Sequence, residues 1–280
     1  MMLAHHAVAP SQLWTAWRPD PLVVVALVLA AVGYRRGVVA LRARARPGPR
    51  RGEVAAFTAG LVAVAVALAS PLEGAAGALF SAHMLQHLLL VLVAAPLLAA
   101  GRPALAIGAA FPATTRRAWR RQAARPAARR ATDVVLHPVV VWALGTVTLW
   151  AWHLPVLYDA AVRHDLLHAV EHASLLGTAL LLWTVVWGRG PRPAATPTAV
   201  GLLFATALAS AALGAVLTLA GTPLYDVHAT TTAAWGLSPL EDQQLAGATM
   251  WVPAGLVYMA VMAGLLGSWL SSLDREPATP

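Results

Sequence analysis

Seven apolar runs, separated by short gaps rich in arginine, proline and glycine, constrain this chain more than any other feature. They cover roughly 21–41, 54–69, 79–100, 134–152, 166–187, 198–220 and 245–270. An apolar helix of about 20 residues crosses the ~30 Å hydrocarbon core of a bilayer. Lipid offers no hydrogen bonds, so each crossing backbone must satisfy itself, as a helix does. The composition agrees: 59% of residues are hydrophobic, 11% are charged, and the mean hydropathy is +0.65. The expected fold is an all-α integral membrane protein, a seven-transmembrane-helix bundle. Residues 1–20 form an external segment, 21–270 the membrane domain and 271–280 a cytoplasmic tail. Arg35 and Arg36 fall inside the first run and are expected to snorkel to the interface. The stretches 101–132, 154–165 and 221–244 read as loops, and 70–74 as a turn.

Charge sets the orientation. All 20 basic residues are arginine, and the formal net charge is +8. Apart from Arg35 and Arg36, they lie between or beyond the runs rather than over one face, which argues for topology charge and against nucleic-acid binding. Counting the gaps alternately puts 18 arginines on one side and only Arg18 and Arg163 on the other. The positive-inside rule then places the N-terminus outside and the C-terminus in the cytoplasm. Residues 1–20 hold Trp14 and Trp17 as interface anchors. They show no basic stretch ahead of an apolar core, so no cleaved signal peptide is expected. There is no cysteine, which removes thiolate ligands and disulfides.

Against this background two segments stand out. His83-Met84-Leu85-Gln86-His87 opens the third run, and His168-Ala169-Val170-Glu171-His172 opens the fifth. Each sets two histidines at i and i+4 on one helix face, with a Gln or Glu at i+3 on the same side. Ionisable side chains at membrane depth are costly and mark function by default. Both runs start at the outer face, so the pairs sit at similar depth. His153 ends the fourth run on that side, and His164 lies one turn before His168. Asp242, Gln243 and Gln244 open the seventh run at the same level. Lone histidines at helix ends usually bond a carbonyl or water, and His5, His6 and His137 are read in that way. The four paired histidines, with His153 and Glu171, form the expected metal site. Imidazole suits copper, zinc and iron. Met84 and Met250 could add thioether ligands suited to Cu(I), and Gln86 or Glu171 could orient an imidazole instead of ligating.

The stretch His83 to Leu90 is followed by Pro96-Leu97-Leu98 and Gly101-Arg102-Pro103. Farther on come Trp152-His153-Leu154-Pro155 with Leu157-Tyr158-Asp159, the His168–His172 segment, and Asp242 to Gly247 with Met250-Trp251. In these motifs the sequence resembles the CtaG family of multi-pass cytochrome c oxidase assembly factors of the caa-type oxidase branch. The resemblance runs from about Trp14 to Leu270. It implies a bacterial plasma-membrane protein, not an enzyme, that matures a haem–copper oxidase by handling copper at the outer face. Its partners would be the lipid bilayer and oxidase subunits as clients. One alternative is a b-type haem electron-transfer protein, since two helices each offering a histidine can hold a haem axially. The other is a metal-dependent membrane hydrolase, because 168–172 also matches the short H-x-x-E-H pattern.

The arginine asymmetry carries a direct test. A reporter fused after Arg121 should be active only as a cytoplasmic reporter, and one fused after Thr231 only as an external one. The reverse pattern would invert the placement of every histidine.

Overall fold

Proline sets many of the helix starts. Pro21, Pro71, Pro103, Pro126, Pro138, Pro155 and Pro239 each stand in the first turn of a helix. There the missing N–H costs nothing and the fixed φ favours the helical turn. The computed structural model describes residues 8–15, 17, 19–190 and 193–274. His5, His6, Arg18 and most of the expected tail lie outside the described residues. Among the described residues there is no strand.

Among the described residues twelve α-helical elements follow in order: α1 (Pro21–Ala43), α2 (Arg51–Ala69), α3 (Pro71–Ala76), α4 (Phe80–Ala100), α5 (Pro103–Ala110) and α6 (Ala113–Ala124). Then come α7 (Pro126–Val135), α8 (Pro138–Trp152), α9 (Pro155–Arg163), α10 (Asp165–Val186), α11 (Thr196–Leu219) and α12 (Pro239–Leu273). Six of them (α1, α2, α4, α10, α11 and α12) are long and apolar enough to cross a membrane. A seventh crossing needs α7 and α8 together. They meet at a 59° bend, and α8 alone has 15 residues, a rise of about 22 Å.

Three stretches read as irregular are helical. The segment 101–132 holds α5, α6 and most of α7; 154–165 holds α9; and 70–74 opens α3. In each case the proline that reads as a loop signal is a helix-starting residue instead. The helix α5 folds back along α1. The exposed α6 carries Arg116, Arg117, Arg120 and Arg121.

The middle of the bundle is α4, which packs against α2, α10 and α12. It begins at the same end as α10, so these neighbours run parallel. Helices α11 and α12 also pack backbone to backbone. A Cβ on Gly247 would lie 2.6 Å from the Thr218 amide nitrogen and 2.7 Å from the Gly214 carbonyl oxygen. Only glycine permits this approach.

The expected continuous α-helix at 79–100 is interrupted, and the reason is Pro96. Residues Leu89–Ala94 form a π-helical turn, with the Ala95 N–H bonded to the Leu90 carbonyl. In that register the Val91 carbonyl would next accept from residue 96, which is proline and has no N–H. The Trp183 indole of α10 fills the gap, donating to Val91 O at 2.9 Å, and Trp187 donates to Pro96 O at 3.0 Å. Trp183 is fully buried. The variant Trp183→Phe keeps an aromatic ring but loses the pyrrole part of the indole, so it strands the Val91 carbonyl and leaves a small cavity. It should destabilise the protein by about 1–3 kcal/mol, visible as a lower unfolding temperature in detergent. An unchanged midpoint would mean that the indole N–H contributes nothing to the α4–α10 seam.

Candidate metal centre

The first turn of α4 is fixed from outside the helix. Asp242, at the start of α12, accepts the Phe80 N–H at 2.7 Å and the Ser81 N–H at 3.1 Å, and the Ser81 hydroxyl also donates to it. A carboxylate at this position satisfies amides that otherwise lack partners and complements the helix dipole. Gln243 accepts from the Leu224 N–H at 2.6 Å, and Gln244 donates to Ala220 O at 3.3 Å. These three residues, expected beside the histidines, brace the helix and loop around them and stay outside the ligand group.

With α4 held in this way, His83 and His87 aim their Nε2 atoms at one point, 3.0 Å apart. Glu171 of α10 reaches the same place, with Oε2 3.5 Å from His83 Nε2 and Oε1 3.5 Å from His87 Nε2. His172 completes the group: one donor atom from each of His83, His87, Glu171 and His172 lies within 4.8 Å of the other three. First-row ions bind N and O donors at about 2.0–2.2 Å, so donors around one ion sit roughly 3–4 Å apart. The His83–His87, His83–Glu171 and His87–Glu171 separations fall in that range, and the 4.8 Å bound on the whole group exceeds it, so His172 can close on an ion only with a small adjustment. All four side chains are buried, and Glu171 is 0% exposed.

The convergence is narrower than the sequence suggested. His168 borders the group without joining it. Its ring lies 4.2 Å from His172 and 5.1 Å from His83, and its Nδ1 is 3.7 Å from Glu73 Oε1. His153 lies on the far side of His87, with ring centroids 5.9 Å apart. Its Nδ1 bonds Leu149 O at 2.7 Å, and its Nε2 meets Met84 Sδ at 3.1 Å. Met250 packs in the apolar cluster of Phe80 and Tyr158. His164 and His137 are exposed. Gln86 does not mirror Glu171. It donates to Ala67 O at 2.7 Å and to Glu73 at 2.6 Å.

Two polar residues that the sequence places only in connecting segments, Glu73 in a turn and His228 in a loop, come to the rim of the group. Glu73 sits in α3, which folds over the start of α4. Burial pushes its carboxyl up to about 7. The Gln86 hydrogen bond opposes the shift, and Asp20 and Asp165 reinforce it. His228 shares a 2.9 Å hydrogen bond with the Tyr158 hydroxyl, and the Tyr158 ring contacts His83. Burial first, then the neighbouring His83, holds His228 down to about 3. Past His87, an apolar cavity of about 80 Å³ opens between α4, α8, α10, α11 and α12.

This arrangement of buried imidazoles and one carboxylate can be set beside known proteins. The chain is 28% identical to the uncharacterised proteins Mb0105 of Mycobacterium bovis and MT0111 of Mycobacterium tuberculosis, over 96% of its own length. It spans 41% of the length of those relatives. No solved structure matches it. The family model for the cytochrome c oxidase caa3 assembly factor matches residues 32–272, a range that holds every residue of the histidine cluster, and the chain belongs to that family.

Proposed function

We propose that the chain handles copper as cargo at the His83–His87–Glu171–His172 group and supplies it to a haem–copper oxidase under assembly. The observation that carries this reading is the meeting of four donor atoms from two parallel helices inside an apolar bundle. Family membership supports the assembly role. The donor set supports a metal: neutral imidazoles and a carboxylate bind copper well. His153 and Met84 stand alongside as a further nitrogen and a soft sulfur. The 18-to-2 arginine split supports an outward-facing N-terminal end of α4 and α10, and hence a site near the outer face of a bacterial plasma membrane. Oxidase subunits are the clients, and no catalysis is required of the chain.

The geometry favours a single ion over the alternatives. A haem needs an open slab between its axial imidazoles, whereas His83, His87 and His172 are in mutual contact, with centroids 4.5–5.5 Å apart. The hydrolase pattern expects His168 and His172 as joint ligands, yet His168 faces Glu73.

One shared ion implies non-additive loss. His83→Ala/His87→Ala and Glu171→Gln/His172→Ala should each lower copper affinity by about 100-fold or more, and all four substitutions together should do little further harm. Copper per protein and maturation of the oxidase are the readouts, after membrane insertion has been verified. Two double variants that each keep half the copper would indicate separate sites and defeat the single-ion reading. Normal binding in both would leave the histidines a structural role only.

A further inference from the structure

The four-donor group is sealed, so an ion must reach it by some route. On one side His87 borders the largely apolar cavity, whose polar lining includes the hydroxyls of Thr178, Thr206, Ser210 and Tyr258 and the Met250 sulfur, with no carboxylate. A passage with no anionic group is costly for a cation. On the other side the polar contacts continue. The His172 ring meets the His168 ring, and His168 Nδ1 meets Glu73 Oε1 at 3.7 Å. Exposure rises outward along this line: the side chains of Glu171, His168 and Glu73 are 0%, 9% and 21% exposed. Asp20 and Asp165 lie exposed close enough for their charge to reach Glu73.

A second observation points to a cation here. The Gln86 amide spends its nitrogen on Ala67 O and Glu73, and its Oε1 is buried with no hydrogen-bond donor. A buried acceptor of this kind costs free energy unless something electropositive meets it. It belongs to the same amide that touches the Glu73 carboxylate.

We infer that Glu73 and His168 form an entry site, which captures a copper ion at the end of the bundle and passes it to His172 and His83. Gln86 holds Glu73 in place and lends its Oε1 to the passing ion. The exposed carboxylates draw cations to the mouth, where steering of this kind raises association rates about 10-fold to 1,000-fold. This inference rests on the copper reading above.

The test separates rate from capacity. Full-length protein in nanodiscs is mixed with copper(I) carried by a chromophoric chelator, and transfer is followed by stopped flow. Glu73→Gln retains an oxygen to accept from Gln86, so its fold should persist. It should load the same copper at equilibrium but about 10-fold more slowly, with Glu73→Asp regaining much of the rate. His168→Gln should show the same slow loading at full capacity. Loading at the wild-type rate in both Glu73→Gln and His168→Gln would overturn the entry role. Loss of equilibrium binding in Glu73→Gln would overturn it too, placing Glu73 among the holding ligands. Wild-type protein that takes up no copper would refute the functional reading itself, a result distinct from either.

Discussion

A carboxylate buried in an apolar bundle has to be met by other polar groups, and much of this structure follows from where Glu171 finds them. Isolated, an ionised group at that depth carries a penalty of several kcal/mol even after relaxation. Glu171 is fully buried on α10, with the Nε2 atoms of His83 and His87 on α4 each 3.5 Å from one of its oxygens. The two helices must therefore be neighbours and keep one register. Farther along the same seam, Trp183 and Trp187 of α10 bond the Val91 and Pro96 carbonyls of α4. The π-helical turn that Pro96 imposes is thus tied to the helix that carries Glu171. At the other end, Asp242 of α12 fastens the first turn of α4. The ligand group lies between these two restraints, which suits side chains that have to converge within a fraction of an ångström.

The sequence makes a good part of this legible, because helical periodicity and membrane energetics act locally. The i, i+4 spacing is enough to put His83 with His87 on one face. The apolar runs are enough to identify the crossings, and six of them appear as single helices. What spacing cannot supply is the rotation of each helix about its own axis. The two motifs look equivalent, H-x-x-Q-H and H-x-x-E-H, yet their members divide differently. On α4 both histidines enter the group, and Gln86 turns toward α2 and α3. On α10 the adjacent pair Glu171 and His172 enters, and His168 turns toward Glu73. That division depends on which neighbour covers which face, a tertiary fact with no trace in either pentapeptide.

The remaining differences have equally specific causes. Pro71, Pro103, Pro126 and Pro155 stand where a break is the natural inference, and each instead begins a short helix. Glu73 follows Ser70-Pro71, a pattern that reads as an exposed turn. Ser70 caps α3 by accepting the Leu72 N–H, and the short helix then lays Glu73 against Gln86. Asp242 reads as a helix-start acid for its own helix, but its oxygens serve the start of α4, about 160 residues earlier in the chain. Long-range capping of this kind is invisible to a local pattern.

Charge balance links the buried group to its rim. Metal-binding imidazoles are neutral, so the only formal charge among the four donors is that of Glu171. A monovalent ion would leave the assembly neutral, while a divalent ion would leave it with one positive charge in a medium where charge is poorly screened. The next carboxylate outward is Glu73, reached through His168 and held by Gln86. Burial that lifts the Glu73 carboxyl to about 7 places it where a nearby positive charge would shift it strongly toward the carboxylate form.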